Sequence, residues 1–253
     1  KPDVRGFYRR RVQRISPSYY FVSLLMLLVS ALPYHLYSSP QFAVKDIFMH
    51  LTFTQTLDSA AYMNTPLGGA SWTIAVEMQF YLIFPLLARA AVKRPVLTLS
   101  CMSLAGIAFR AYFLWSMTEY SLVLNQMVCF LDVYAIGMAC ALLFVALAGR
   151  LRRTAAVQLC ATAVTALAIY ALVLLLKAQA GESSHAAIQA GQMLRRTPLA
   201  LVYGTIVVAL PFAWRPMRFL FGNRLMKLLA ALSMNYYLLH QNISVLLKRW
   251  GIP

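Results

Sequence analysis

The 253 residues are 61% hydrophobic and 12% charged, with a mean hydropathy of +0.66, against roughly 45–50% apolar and about 25% charged in a soluble domain. That balance excludes an ordinary soluble enzyme and describes a chain that crosses a bilayer several times. A net charge of +16 would suggest nucleic acid in a soluble protein, but no basic face interleaved with aromatics stands outside the apolar segments, so no nucleic-acid partner is expected.

The chain opens with Lys1, Arg5, Arg9, Arg10, Arg11 and Arg14 against Asp3 alone. Guanidinium forks match phosphate oxygens in pairs; equally, such clusters hold anionic lipid and set topology. Ser16-Pro17 has the form of a helix start, with Ser as N-cap and Pro at the first helical position. The first span is therefore placed at 17–37, with Tyr19, Tyr20, Tyr34 and Tyr37 at its interfaces. Residues 41–55 are too polar and short to cross. Their Val44, Ile47, Phe48 and Leu51 recur on one helical face, which predicts a helix lying in the interface. Residues 64–71, Asn-Thr-Pro-Leu-Gly-Gly-Ala-Ser, form a breaker-rich loop.

The second span, 72–90, carries Glu77. A charged Glu at the centre of a membrane helix costs at least about 2.5 kcal/mol, so such an acid faces a cavity or a partner and marks function. The plainer alternative is a Glu that pairs with a basic residue and locks two helices. Pro95 starts a third span ending near Met117. A fourth covers 126–147, a fifth 155–176, a sixth 198–214 and a seventh 226–247, with 177–196 as the longest polar loop. Each has roughly the 17–25 residues a crossing needs. No repeat of the 20–50-residue kind is present. The expected fold is all-α, a polytopic transmembrane helix bundle of about seven spans plus an interfacial helix, forming one domain over 1–253.

With seven crossings, sixteen basic residues fall on the side of residues 1–16 and six on the other. The positive-inside rule makes the arginine-rich side cytoplasmic and accounts for the charge without an anionic macromolecule. Cys101, Cys129, Cys140 and Cys160 lie in apolar segments without a C-x-x-C pair, and read as small buried residues rather than a disulfide framework or metal site.

Glu77, Arg110 and Asp132 are the ionisable groups left inside spans. Counted at about 1.5 Å per residue, all three come to roughly 7–11 Å below the non-cytoplasmic boundary. His240 and Asn242, on the last span, fall at a similar level, with Asn235 and Gln241 nearby. Two readings stand. One is an ion-pair triad holding helices together, with His240 bonded to a backbone carbonyl. The other is a polar cavity open to the outer face, in which a histidine exchanges a proton and a carboxylate orients it, as acyl transfer to a hydroxyl requires. His240 is read as the histidine inside a span, with His35, His50 and His185 in loops or at boundaries. No G-x-S-x-G, H-E-x-x-H or phosphate-cradling glycine loop occurs. From another class, Glu77, Arg110 and Asp132 could serve as the coupling network of a secondary transporter for a small anion or sugar, although neither a duplicated half nor matched broken helices are seen.

Phe7-Tyr8-Arg9-Arg10-Arg11-Val12-Gln13-Arg14-Ile15-Ser16-Pro17-Ser18-Tyr19 resembles the F-x-x-R-R-x-x-R-I-x-P-x-Y segment of the integral-membrane acyltransferase-3 family. Residues 72–85, from Trp72 through Glu77 to Pro85, are similar to its W-S-L-x-V-E-E-Q-F-Y-L-I-F-P segment. Residues 233–241, with Tyr237-Leu238-Leu239-His240, resemble its S-x-x-x-Y-L-L-H helix, and Tyr134 with Gly137-Met138 is similar to its span with an aromatic three residues before G-M. The resemblance implies a bacterial O-acyltransferase of the cell membrane. It would move an acyl group, usually acetyl, from acyl-CoA on the cytoplasmic side to a hydroxyl of a surface glycan or lipid-linked sugar, without a metal. By the same resemblance Arg10, Arg11 and Arg14 face the donor's phosphates and Glu77 belongs to the central pocket, with His240, Arg110 and Asp132 as further candidates from the polar constellation. The family's usual second Glu is Met78 here. Its first spans, with a catalytic histidine and a G-x-D-x-F-F-x-x-S-G stretch, would precede Lys1, so the 253 residues are expected to be inactive alone.

Overall fold

The computed structural model describes residues 3–249 and 251; Lys1, counted above on the arginine-rich side, lies outside them. Every regular element among the described residues is helical: α1 (Val4–Met26), extended by a wide turn over Leu27–Ala31, then α2 (Pro40–Leu51), α3 (Ser59–Met63), α4 (Trp72–Lys93), α5 (Pro95–Ser116), α6 (Ser121–Leu124), α7 (Leu131–Arg150), α8 (Ala155–Ala180), α9 (His185–Ala209), α10 (Arg215–Gly222) and α11 (Arg224–Arg249). The all-α, polytopic expectation holds. Among the described residues six stretches are long and apolar enough to cross a bilayer: Val4–Ala31, Gly69–Lys93, Pro95–Ser116, Met127–Arg150, Ala155–Ala180 and His185–Phe212. Large apolar side chains on them point outward, including Leu82, Trp115, Val145 and Leu159, as they do where lipid is the solvent. The expected seventh span is the 26-residue α11. Asn235, His240, Gln241 and Asn242 leave it outside that apolar set.

Several boundaries differ from the sequence reading, for local reasons. Ser16-Pro17 does not start the first helix. Asp3 does, its Oδ1 accepting from the Gly6 amide at 2.8 Å, and α1 runs on through Pro17, which only forgoes one internal hydrogen bond. Likewise the polar stretch 177–196 is mostly helix: α8 reaches Ala180 and α9 begins at His185 behind the Ser184 cap. Its polar side chains are tied down, with Gln189 bonded to Ser121 and Tyr120 and Arg196 donating to the Leu124 carbonyl at 2.6 Å. The four cysteines are free, but Cys101 and Cys160 are exposed rather than buried; on a lipid-facing surface a thiol behaves as a small apolar group.

The chain forms two compact units. The first gathers the described parts of Lys1–Pro85 and Leu228–Pro253 with Asn125–Met127. Its core is Ile15, Tyr19, Val22 and Met26 of α1, Phe53, Ile74 and Ala75 of the α4 start, and Leu238 of α11. α2 is inverted relative to a soluble amphipathic helix. Val44, Phe48 and Leu51 are exposed, as the interfacial reading expects; Ile47, the fourth residue of the expected face, is half-buried, and Asp46 and His50 are buried. After α2, Phe53 adopts a positive φ of 57°, a strained conformation for a bulky residue, and the turn directs Gln55 and Thr56 inward, where both are buried.

The second unit comprises Leu86–Leu124 and Val128–Lys227. α5 packs on α7, α7 on α9 and α9 on α8. Tyr120, Leu124, Cys129 and Met193 form its buried cluster.

Candidate functional site

In the first unit, α1 and α4 run antiparallel and are clasped by aromatic contacts. Phe7 stacks on Phe84 at 5.2 Å and meets Tyr81 edge-on at 5.8 Å; Tyr8 donates its hydroxyl to the Leu82 carbonyl at 2.8 Å. This clasp sets Arg11 over the Tyr81 ring, 5.0 Å from its centre, and 5.4 Å from that of Phe7, within the roughly 6 Å over which a cation is drawn to a ring face. Tyr81 in turn donates to Glu77 one helical turn earlier. Arg11, Tyr81 and Glu77 are thus linked in one half-buried row. Among the described residues no carboxylate lies within ion-pair distance of Arg11 or Arg14, whereas Arg10 turns outward toward Asp3 at 3.7 Å.

A second polar cluster in the same unit is more deeply buried. His50 Nδ1 lies 2.9 Å from the Asp46 carbonyl and 3.2 Å from its Oδ1. Tyr37 donates to Asp46 Oδ2 at 3.1 Å and Thr65 at 2.9 Å. Burial first, and then the Asp46 carboxylate, hold the Tyr37 hydroxyl well above its ordinary pKa, so it remains a donor. On the other side of the ring, His50 Nε2 faces Ser71 Oγ at 3.4 Å and Thr65 Oγ1 at 3.5 Å. Tyr19 donates to the His50 carbonyl at 3.2 Å and accepts from Gln55 at 3.0 Å, whose amide also reaches the Ser71 carbonyl at 3.4 Å.

Arg110 and Asp132 meet in the second unit. The guanidinium donates to both carboxylate oxygens, at 2.6 and 2.7 Å, and to the Cys129 carbonyl and Thr197 hydroxyl at 2.5 and 2.7 Å; Thr197 also bonds Asp132. Gly106 makes room for the pair, because a Cβ there would sit 3.0 Å from Asp132 Oδ1. This is the helix-locking form of the expected constellation, joining α5, α7 and α9. Of the remaining candidates, Glu77 and His240 belong to the first unit. His240 is exposed, with Nδ1 2.5 Å from the Tyr237 carbonyl and its ring against Tyr236. Asn242 is buried, donates to the Leu238 carbonyl at 3.0 Å and lies against Gly68, which has a φ of +128°. Among the described residues no group of three or more His, Cys, Asp or Glu is placed to hold a metal.

The family model for an acyltransferase domain, that of the acyltransferase-3 family, matches residues 1–253. The chain belongs to the acyltransferase-3 family. Comparison with curated proteins and with solved structures gave no match. As an acyltransferase-3 protein it is a membrane acyltransferase and, with six apolar helices of spanning length, a multi-pass membrane protein. The residue that sequence reasoning placed at a boundary and passed over is His50. The available signal was an acid and a histidine four residues apart, on the face of α2 opposite Val44 and Phe48.

Proposed function

We propose that this acyltransferase-3 protein moves an acyl group, acetyl in the simplest case, from acyl-CoA to a hydroxyl of a cell-envelope glycan or lipid-linked sugar, in a bacterial inner or plasma membrane. The observation that carries the reading is the row Arg11–Tyr81–Glu77. It sets the Arg11 guanidinium, which has no ion-pair partner among the described residues, one ring away from the Glu77 carboxylate. Phosphates of the donor suit Arg11 and Arg14, which the aromatic clasp presents on one side of α1. Arg10, turned to Asp3, supplies charge without direct contact. Glu77, held by Tyr81, accepts the proton of the attacking hydroxyl or orients the group that does.

Arg110 and Asp132 act in this scheme by fixing α5, α7 and α9, since each already satisfies the other, and His240 contributes through the exposed face of α11. The family assignment supports acyl transfer rather than the transport alternative. The test is transfer from labelled acetyl-CoA in membranes carrying the full-length protein, with Glu77→Ala and Arg14→Ala alongside. Loss of transfer in both is the expected result, and unchanged transfer in both removes those residues from the reaction.

A further inference from the structure

The Asp46–His50 pair is not used by the function just described. Burying an acid and a histidine on the inner face of a short helix is unfavourable unless both are satisfied, and two apolar residues would fill the space as well. The pair nevertheless has a defined polarity. Asp46 receives hydrogen bonds from Tyr37 and Thr65 on Oδ2, while Oδ1, 3.2 Å from His50 Nδ1, is buried without a hydrogen-bond donor. With the Nδ1 hydrogen directed at the Asp46 backbone carbonyl, 2.9 Å away, the ring presents a lone pair on Nε2 toward Ser71 Oγ at 3.4 Å. The Thr65 hydroxyl hydrogen is already directed at Asp46 Oδ2, so the Ser71 hydroxyl is left to donate to the ring. An imidazole whose far nitrogen is held by a backbone carbonyl, with a carboxylate oxygen alongside and a hydroxyl at its free nitrogen, has the parts of an activated serine.

Two further observations point to a ligand. Gln55, 1% exposed, holds its amide beside Ser71, and its Oε1 is buried without a donor; an incoming hydroxyl can fill it. A cavity of about 240 Å³, walled by His50, Leu67, Ile47 and Leu51 with Leu24 of α1 and Leu27 of the turn after it, opens beside the ring. It is almost wholly apolar and smaller than the roughly 300–1,000 Å³ of ordinary ligand pockets, which suits a short acyl chain and not a nucleotide.

We propose that Ser71 is an acyl-carrying nucleophile, with His50 as its base and Asp46 as the positioning residue, so that transfer proceeds in two steps through a serine ester. In the first, Ser71 Oγ attacks the thioester carbonyl carbon as its proton passes to His50 Nε2; the C–S bond breaks and the thiolate leaves with that proton as the free thiol. In the second, the acceptor hydroxyl gives its proton to Nε2 and attacks the ester carbonyl; the C–Oγ bond breaks and Ser71 regains the proton. The inference rests on the acyl-CoA reading above.

The experiment incubates membranes carrying the full-length protein with labelled acetyl-CoA and no acceptor, quenches with acid and maps the label by peptide mass spectrometry. Acetyl on Ser71, released by hydroxylamine, is expected. Ser71→Cys should carry the label as a more labile thioester, which keeps the test independent of any folding defect in Ser71→Ala. His50→Gln should slow labelling by about 100-fold or more, the lower end of what a positioned base contributes. In a parallel reaction with membranes that supply the acceptor, failure of the wild-type protein to consume acetyl-CoA would overturn the donor assignment together with this inference. Turnover with an unlabelled Ser71 overturns the serine ester alone.

Discussion

Arg110 grips Asp132 through two parallel hydrogen bonds, at 2.6 and 2.7 Å, with both side chains buried. A buried pair of this kind contributes little relative to apolar residues of the same size, yet removing one partner strands the other charge. Asp132→Ala is therefore expected to destabilise the second unit by about 3–5 kcal/mol, whereas Arg110→Met with Asp132→Leu recovers most of that loss. Thermal unfolding of the detergent-purified variants decides it; a double variant as unstable as the single one contradicts the locking role.

Glu77→Gln keeps an oxygen that can accept from Tyr81 but has no charge to take up a proton. Transfer from acetyl-CoA should fall at least tenfold, a barrier increase of about 1.4 kcal/mol, while the melting temperature changes little. Equal losses of activity and stability would mean that Glu77 only supports the fold.

Asp58 offers a pH-dependent test outside the membrane helices. The Lys45 ammonium, 2.5 Å away, and the Ala61 amide that Asp58 caps hold its carboxyl below the ordinary range. A pKa lower in the folded than in the unfolded state stabilises fully above the unfolded value, about 3.9, and the contribution is lost as pH falls through the folded one. The Lys45 side chain is half exposed, so the ion pair is worth about 1 kcal/mol or less. The difference in melting temperature between wild type and Asp58→Asn should be greatest near neutrality and close below about pH 4. A difference that does not vary with pH would remove the charge from the explanation.

Gly68 and Gly69 are neighbours with opposite expectations. At Gly68 the φ of +128° strains any side chain, and a Cβ would stand 3.0 Å from the buried Asn242 amide. At Gly69 the obstacle is the end of Gln241, an exposed and flexible side chain. Gly68→Ala should cost on the order of 1–3 kcal/mol and Gly69→Ala well under that, read from unfolding of each variant.

The apolar helices were legible because a membrane span writes its length into composition, and the Arg110–Asp132 pair because two opposite charges at one depth have few other partners. Glu77 was legible as a lone acid, but not its link to Arg11, which depends on the aromatic register of α1 against α4. His50 was hidden by the pattern that revealed α2: Val44, Phe48 and Leu51 mark an apolar face, which in water would point inward and here points out. The start of α1 was misplaced because Ser16-Pro17 carries a start signal that Asp3 overrode, and the 177–196 stretch because its polar side chains find partners on α6 rather than in solvent.

Pro17 has no amide hydrogen to give back to the preceding turn in the middle of α1. The turn that bears Arg11 and Arg14 is therefore held less by the backbone ladder at that level than by what lies beside it: Phe7 and Tyr8, seated on Phe84 and Leu82, keep the guanidinium groups in register with α4.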